Sequence, residues 1–239
     1  MAIFQRLRNS FNWTHAAAEV ALIVVGILIA LWADSWIGER RDAQRETARL
    51  TALHADTEQT LEAISLVHQE ASDAANALRR ILDLQPPYDF NPQTVSLLRH
   101  GLLFGLAFHP EMSVYDDLKN SGELALLTSP ALREALSSME AGLEQLQYFQ
   151  ADLTTVQQLN IDSYMIDHMD LMSFYGEMLG MQLSDDELRA DLGFIADTEF
   201  RNRVLLKLDL VTQLEMVIAT AESRVIAVKQ NIEAELEQR

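Results

Sequence analysis

The chain contains no cysteine and has little proline, glycine or positive charge. Without cysteine it cannot form disulfide bonds, thiolate metal sites or a cysteine nucleophile. It has only 5 prolines and 9 glycines in 239 residues and is 49% hydrophobic, which favours a folded, helix-rich chain over a disordered one. The net charge of −18 argues against nucleic acid as a partner, because both molecules would be negative.

Sequence motifs for catalysis are also absent. The chain has no glycine-rich phosphate loop, no nucleophile elbow and no H-E-x-x-H. None of its 6 histidines follows a glutamate by three residues, so the Glu-x-x-His signature of di-iron bundles is missing. The best candidate for a metal site runs from Asp167 to Asp170, but consecutive residues of a helix point in different directions. We therefore predict a non-enzymatic protein with no metal and no cofactor.

One long apolar run lies near the N-terminus. Residues 16–37 read AAAEVALIVVGILIALWADSWI, with no charged residue from Val20 to Ala33. As a helix this run extends about 33 Å, enough to cross a hydrocarbon core of about 30 Å. Trp13 before the run, and Trp32 and Trp36 at its far end, stand where indole rings favour the membrane interfaces. We predict a transmembrane helix over residues 15–38.

The first 14 residues form a separate segment before the span. Their apolar side chains recur on one helical face, which predicts an amphipathic helix at the membrane surface over residues 1–14. A frayed tail is the alternative. A cleavable signal peptide is a competing interpretation of the apolar run itself. Leu31 and Trp32 stand where a cleavage site needs small residues, so we expect the run to be kept as an anchor.

Two arguments about the orientation of the span disagree. Four arginines follow it between residues 39 and 50 and two precede it, a count that places the following domain in the cytoplasm. A short uncleaved N-terminal segment, however, usually stays inside the cell as a signal anchor. We expect a single-pass protein of the bacterial inner membrane and favour the periplasm for its C-terminal domain, with the cytoplasm as the alternative.

An acidic residue and three small residues share one face of the span. Glu19, Gly26, Ala30 and Ala33 are spaced by 7, 4 and 3, which places them on the same side of a helix. Gly26 and Ala30 form a small-xxx-small pair that lets a second helix approach closely. Three roles are open for Glu19: reaching the headgroups from the helix start, bonding within a homo-oligomer, or conducting ions or protons.

Residues 39–239 follow a helical pattern that predicts an acidic extramembrane domain. Nothing interrupts a helix before Pro86-Pro87, and its inward positions recur at alternating spacings of three and four: Leu50, Leu53, Thr57, Thr60, Ile64, Val67, Ala71, Ala74, Leu78 and Ile81. A buried helix is predicted next, from the cap at Asn91 to about Phe108.

Two more long helices are predicted after that. One starts at Ser129-Pro130 and runs to Tyr164 or beyond. The last starts near Asp197, and its predicted inward positions are Val204, Leu208, Val211, Leu214, Ile218, Ala221, Val225, Val228 and Ile232. No stretch alternates like a strand. The fold class we predict is all-α, with the N-terminal transmembrane helix continuing into an elongated antiparallel helical bundle.

Two stretches of the chain match patterns that occur together elsewhere. The first is EVALIVVGILIALWADSW, from Glu19 to Trp36, and the second is SVYDDLKNSGELALLTSPALREAL, from Ser113 to Leu136. Together they resemble a bacterial family of single-span membrane proteins described as a domain of unknown function. In the second stretch the family's Tyr-x-x-Leu-x-x-Ser-Gly-x-Leu-x-Leu pattern falls on Tyr115, Leu118, Ser121, Gly122 and Leu124.

The resemblance implies a retained N-terminal anchor and a cytoplasmic N-terminus, and it implies no activity. From its residues alone, the second stretch is an apolar stripe followed by a helix cap and a tight turn. A structural corner is therefore expected there, with a contact to a ligand or partner as the alternative.

These observations predict a membrane-anchored protein that works by assembly. Its partners would be the lipid bilayer and either further copies of itself, as a homo-oligomer, or another membrane protein that it serves as an accessory or sensor subunit. The alternative function is an oligomeric component that conducts or senses ions or protons through Glu19.

Overall fold

The structure, a computed structural model, describes residues 13–182, 184 and 191–238. Most of the predicted amphipathic segment over residues 1–14 lies outside this part. All regular elements in the described residues are helical, which confirms the all-α prediction. The α-helices are α1 (Trp13–Asp83), α2 (Pro92–Leu102), α3 (Ser113–Ser121), α4 (Pro130–Val156), α5 (Ser163–His168), α6 (Leu171–Tyr175) and α7 (Thr198–Glu237). A π-helical turn, Gln157–Asp162, joins α4 to α5, and 3-10 turns lie at Glu123–Leu126, Glu177–Leu179 and Gly193–Ala196.

The chain divides into two compact units, Met1–Leu50 and Thr51–Arg239. The first unit holds the apolar part of α1, where a window of 18 residues has a mean hydropathy of 2.3. None of this window is buried by the rest of the protein. By length and composition, α1 can therefore cross a membrane, as the apolar run predicts.

The C-terminal helix α7 runs antiparallel to the second half of α1. Lys229 binds Glu58 at 2.9 Å, while at the other end of the pair Arg201 donates to the carbonyl of Leu82 at 2.9 Å. Each predicted inward position of α1 from Leu53 to Ile81 is buried. The spacing of three and four therefore identified the face that α1 turns to the core of the second unit.

Helix α7 also runs antiparallel to α4, so α1 and α4 both point the opposite way from it. Arg224 of α7 donates to the carbonyl of Ser138 near the start of α4 at 3.3 Å. The two helices approach closely at Gly142, where an added Cβ would lie 2.9 Å from the Cδ of Arg224. This arrangement confirms the predicted antiparallel bundle.

Local sequence signals set most of the helix ends. The Asn91 side chain accepts from the backbone N–H of Gln93 at 3.0 Å and of Thr94 at 2.9 Å, which caps α2 as predicted. Ser129 caps α4 in the same way, and Asp197 caps α7.

Two predicted helix ends are wrong. Helix α2 ends at Leu102 and not near Phe108, because its last carbonyls bind a side chain of α7 instead of continuing the helix. Helix α4 gives way at Gln157 to a π-helical turn, where each backbone N–H bonds five residues back and one extra residue fits in the turn. The reasons for both differences lie at the buried lysine described next.

Candidate functional site

The four predicted packing residues of the membrane helix share one face of α1. At about 100° per residue, Glu19, Gly26, Ala30 and Ala33 fall within about 60° of one another. The first three are exposed and Ala33 is half-buried. A Cβ added at Gly26 would meet no described atom within 4 Å. In the part of the chain that the structure describes, this face has space for a second helix.

The predicted interface anchors lie at the ends of the apolar run. Trp32 and Trp36 are both exposed, and the guanidinium of Arg40 lies 5.4 Å from the centre of the Trp36 ring. Such a cation–π contact is worth about 0.5–1 kcal/mol when exposed. An indole beside a cation suits the headgroup region, which is apolar on one side and charged on the other. Helix α1 begins at the third anchor, Trp13.

The segment that matches the family pattern connects α3 to α4. Tyr115 and Leu118 are buried, and the Tyr115 hydroxyl donates to Glu140 of α4 at 2.9 Å. Burial, followed by the bond to Glu140, raises the pKa of Tyr115 to about 12, so the phenol stays protonated as a donor. Lys119 binds the other oxygen of Glu140. One carboxylate thus fixes two residues of α3.

The end of the same segment forms a tight turn. Gly122 has a φ of 76° and ends α3 in the left-handed region, where a residue with a Cβ is strained. Ser121 is exposed, and its hydroxyl lies 3.4 Å from the Leu118 carbonyl, while Leu124 is half-buried. These contacts make the segment a structural corner, the first of its two expected roles.

A lysine lies inside the helical bundle of the second unit. Lys207 of α7 has no exposed surface, and its Nζ donates to three oxygens. These are the carbonyl of Leu102 at 2.6 Å, the carbonyl of Phe104 at 2.9 Å and the side-chain amide oxygen of Gln157. An ammonium has three N–H donors, so each of them has an acceptor. This satisfies the condition under which a buried charge is tolerated.

The lysine explains why α2 stops at Leu102. The last carbonyls of a helix have no partner within the helix, and they carry the negative end of its dipole. The Lys207 ammonium meets the Leu102 carbonyl at this end and also holds the Phe104 carbonyl two residues later. Both bonds fix the segment that follows α2.

The third acceptor comes from the π-helical turn. Gln157 accepts from Lys207 through its oxygen and donates through its nitrogen to Asp162 at 2.5 Å. One turn earlier on α7, Arg203 binds the Asn160 carbonyl. Two basic residues of α7, spaced by four, therefore hold the π-helical turn in place.

Burial lowers the pKa of Lys207 to about 7, while the charge of Asp162 opposes the shift. Burial, with Asp162 as a second cause, also raises the pKa of Tyr175. Close to neutral pH, a small change in this environment therefore changes the charge of the lysine. Perturbed pKa values of this kind are common at functional sites, although structural networks produce them too.

Sequence reasoning placed Leu208 on the inward face of α7, and this is wrong. Leu208 is half-buried, whereas Lys207 is fully buried. Val204, Lys207 and Val211 continue the alternating spacing of three and four without a break, which Leu208 does not. The spacing was therefore a usable signal, but a lysine is normally assigned to the surface.

The structure gathers no group of three or more histidine and acidic side chains that could hold a metal, within the residues it describes. His168, in the run that was the best metal candidate, instead lies against Tyr164 with a distance of 4.4 Å between ring centres. Tyr164 donates to Asp197 at 3.0 Å. The run therefore takes part in aromatic packing at one end of the bundle.

Comparison of the chain with protein-family models, with curated proteins and with solved structures gives no match in any of the three.

Replacing Lys207 with methionine should destabilise the domain by about 3 kcal/mol, because three buried acceptors lose their donor and only the apolar stem is retained. Equilibrium unfolding in urea, followed by circular dichroism, measures the change. Lys229→Met, which removes a lysine on the surface of the same helix, is the control and should cost much less. Equal losses in the two variants would contradict a special role for the buried ammonium.

The stabilising contribution of Lys207 should rise with pH between about 7 and about 10.5. In this window the unfolded lysine is protonated while the folded one, with its lowered pKa, binds fewer protons, so raising the pH favours the folded state. The difference in unfolding free energy between wild type and Lys207→Met should grow by at most about 1.4 kcal/mol per pH unit. A difference that stayed constant would mean that the three acceptors keep the ammonium charged.

Proposed function

We propose that this is a non-enzymatic protein of the bacterial inner membrane that acts by assembly, with α1 as its anchor and its helical bundle outside the bilayer. The supporting observation is the apolar window of α1, none of which the chain's own fold buries. Removing apolar surface from water is worth about 25 cal/mol per Å². This helix is therefore stable only where lipid or another helix covers it.

The proposed contact surface is the face that bears Gly26 and Ala30. Lipid gives helices no hydrophobic drive to associate, so close packing at small residues has to supply the attraction. The space next to Gly26 favours this role. The partner is a second copy of the chain, or another membrane protein that this one serves as an accessory or sensor subunit.

The orientation we propose places the bundle in the periplasm, with α1 as an uncleaved signal anchor. A single cysteine can test this, because the chain has none of its own. Ser65→Cys lies at an exposed position of α1 in the second unit. A membrane-impermeant maleimide should label it in cells whose outer membrane has been permeabilised. Labelling only after lysis would place the bundle in the cytoplasm.

Assembly through the Gly26 face predicts which positions cross-link in the membrane. Ala33→Cys, on this face, should form a disulfide-linked dimer on mild oxidation, because paired small residues bring the helices within disulfide distance. Leu31→Cys, about 160° away around the helix, should not. Adding Gly26→Leu to Ala33→Cys should weaken association at least about tenfold, or about 1.4 kcal/mol, measured by varying the protein-to-lipid ratio.

Ala21→Leu is the matched control for that experiment. It also adds a leucine to the span, but it lies about 180° from Ala30 and should leave the dimer fraction unchanged. The self-assembly proposal fails if Ala33→Cys remains monomeric with and without Gly26→Leu. Equal effects of Gly26→Leu and Ala21→Leu would also contradict it, since the interface would then not depend on this face.

A further inference from the structure

A groove lies between α1 and α2 in the second unit. It has two lobes, with volumes of about 550 and about 510 Å³, which share Asp73 and His100 and are therefore continuous. Each volume is within the range of sites that bind small molecules. The groove shares no residue with the proposed membrane interface, so it could serve a function beyond assembly.

Charged side chains of α1 follow one another along the groove. Arg80 lines the first lobe, Asp73 lines both, and Glu70 lines the second. Arg80 and Asp73 are seven residues apart, so their Cα atoms lie about 10.5 Å apart along the helix and on the same side. Neither side chain forms an ion pair or a hydrogen bond within the described residues. The groove therefore offers a positive and a negative group at a fixed spacing.

Between these charges the groove has a polar wall and an apolar floor. Ala77 and Leu97 are buried beneath the first lobe. The Nδ1 of His100 lies 2.8 Å from the carbonyl of Ser96, which can only accept, so Nδ1 carries the hydrogen. In the neutral ring Nε2 is then the acceptor, and it is available to an N–H group of a ligand.

The second lobe has an apolar wall next to its acidic residues. Leu103, Phe104 and Met178 form this wall, and Met178 is 61% exposed. The segment that contains Leu103 and Phe104 is held in place by the bonds from Lys207. An apolar group of a ligand would thus meet a fixed surface at the end of the groove opposite Arg80.

We propose that this groove binds a short zwitterionic peptide of about three residues. Its carboxylate lies at Arg80, its ammonium lies at Asp73 and Glu70, and its first side chain is apolar and packs on Leu103, Phe104 and Met178. The length follows from the spacing of the charges, since an extended chain covers about 3.3–3.6 Å per residue. A single amino acid is too short to reach both ends, and a simple anion would be repelled by the two acidic residues.

Isothermal titration calorimetry of the full chain in detergent tests the proposal, with the tripeptide leucyl-glycyl-glycine as the probe. The tripeptide should bind, and acetylation of its amino group or amidation of its carboxylate should each weaken binding at least about tenfold. Glycine alone should bind at least as weakly as the capped peptides. Absence of binding by the free tripeptide, or equal binding of free and capped forms, would overturn the proposal.

Variants of the two charged ends provide the matched comparison. Arg80→Gln and Asp73→Asn should each weaken tripeptide binding at least about fivefold. Arg80→Gln should also remove the preference for the free carboxylate over the amide, an effect that a merely structural change would not produce. Glu62→Gln, at an exposed acid of α1 outside the groove, should bind as wild type does. Uniform weakening in all three variants would contradict the assignment. The cross-linking of α1 is measured separately, so either proposal can fail without the other.

Discussion

The ammonium of Lys207 requires three acceptors in a seam where helices otherwise supply apolar side chains. Meeting that requirement accounts for several features of the second unit at once. Helix α2 ends where its terminal carbonyls can bind the ammonium, and the Phe104 carbonyl follows two residues later. The π-helical turn presents Gln157, whose amide passes the contact on to Asp162. A single charge thus connects α7, α4 and the end of α2.

Helix α1 shows two different surfaces along its length, and each suits a different environment. In its N-terminal part apolar side chains surround the helix, which is what a hydrocarbon solvent requires. From Leu53 onward apolar residues occupy one stripe and polar residues the rest, which is what packing against other helices in water requires. The change takes place without a break in the backbone hydrogen bonds, since α1 runs from Trp13 to Asp83.

Features that depend on neighbouring residues could be predicted from the sequence, and features that depend on distant ones could not. The caps at Asn91 and Ser129 involve residues two or three positions away, and both were predicted correctly. The buried face of α1 follows from periodicity alone. In contrast, the partners of Lys207 lie 50 or more residues away in sequence, and no local pattern shows that they meet.

The candidate sites divide in the same way. The small-residue face of α1 can be predicted from spacing, because a single helix generates it. The groove beside α2 needs α1, α2 and Met178 to come together, so composition gives no indication of it. The end of α2 was wrong because helix propensity continues past Leu102, while the tertiary bond from Lys207 does not allow it to continue.

The π-helical turn between α4 and α5 limits how the length of this part of the chain can vary. Such a turn holds one residue more than an ordinary helical turn, as if a residue had been inserted into a continuous helix. Deleting one residue there would restore the regular helix and rotate everything that follows by about 100°. Tyr164 would then no longer face Asp197. Between Gln157 and Asp162 this chain should therefore accept exchanges of side chain far more readily than the loss of a residue.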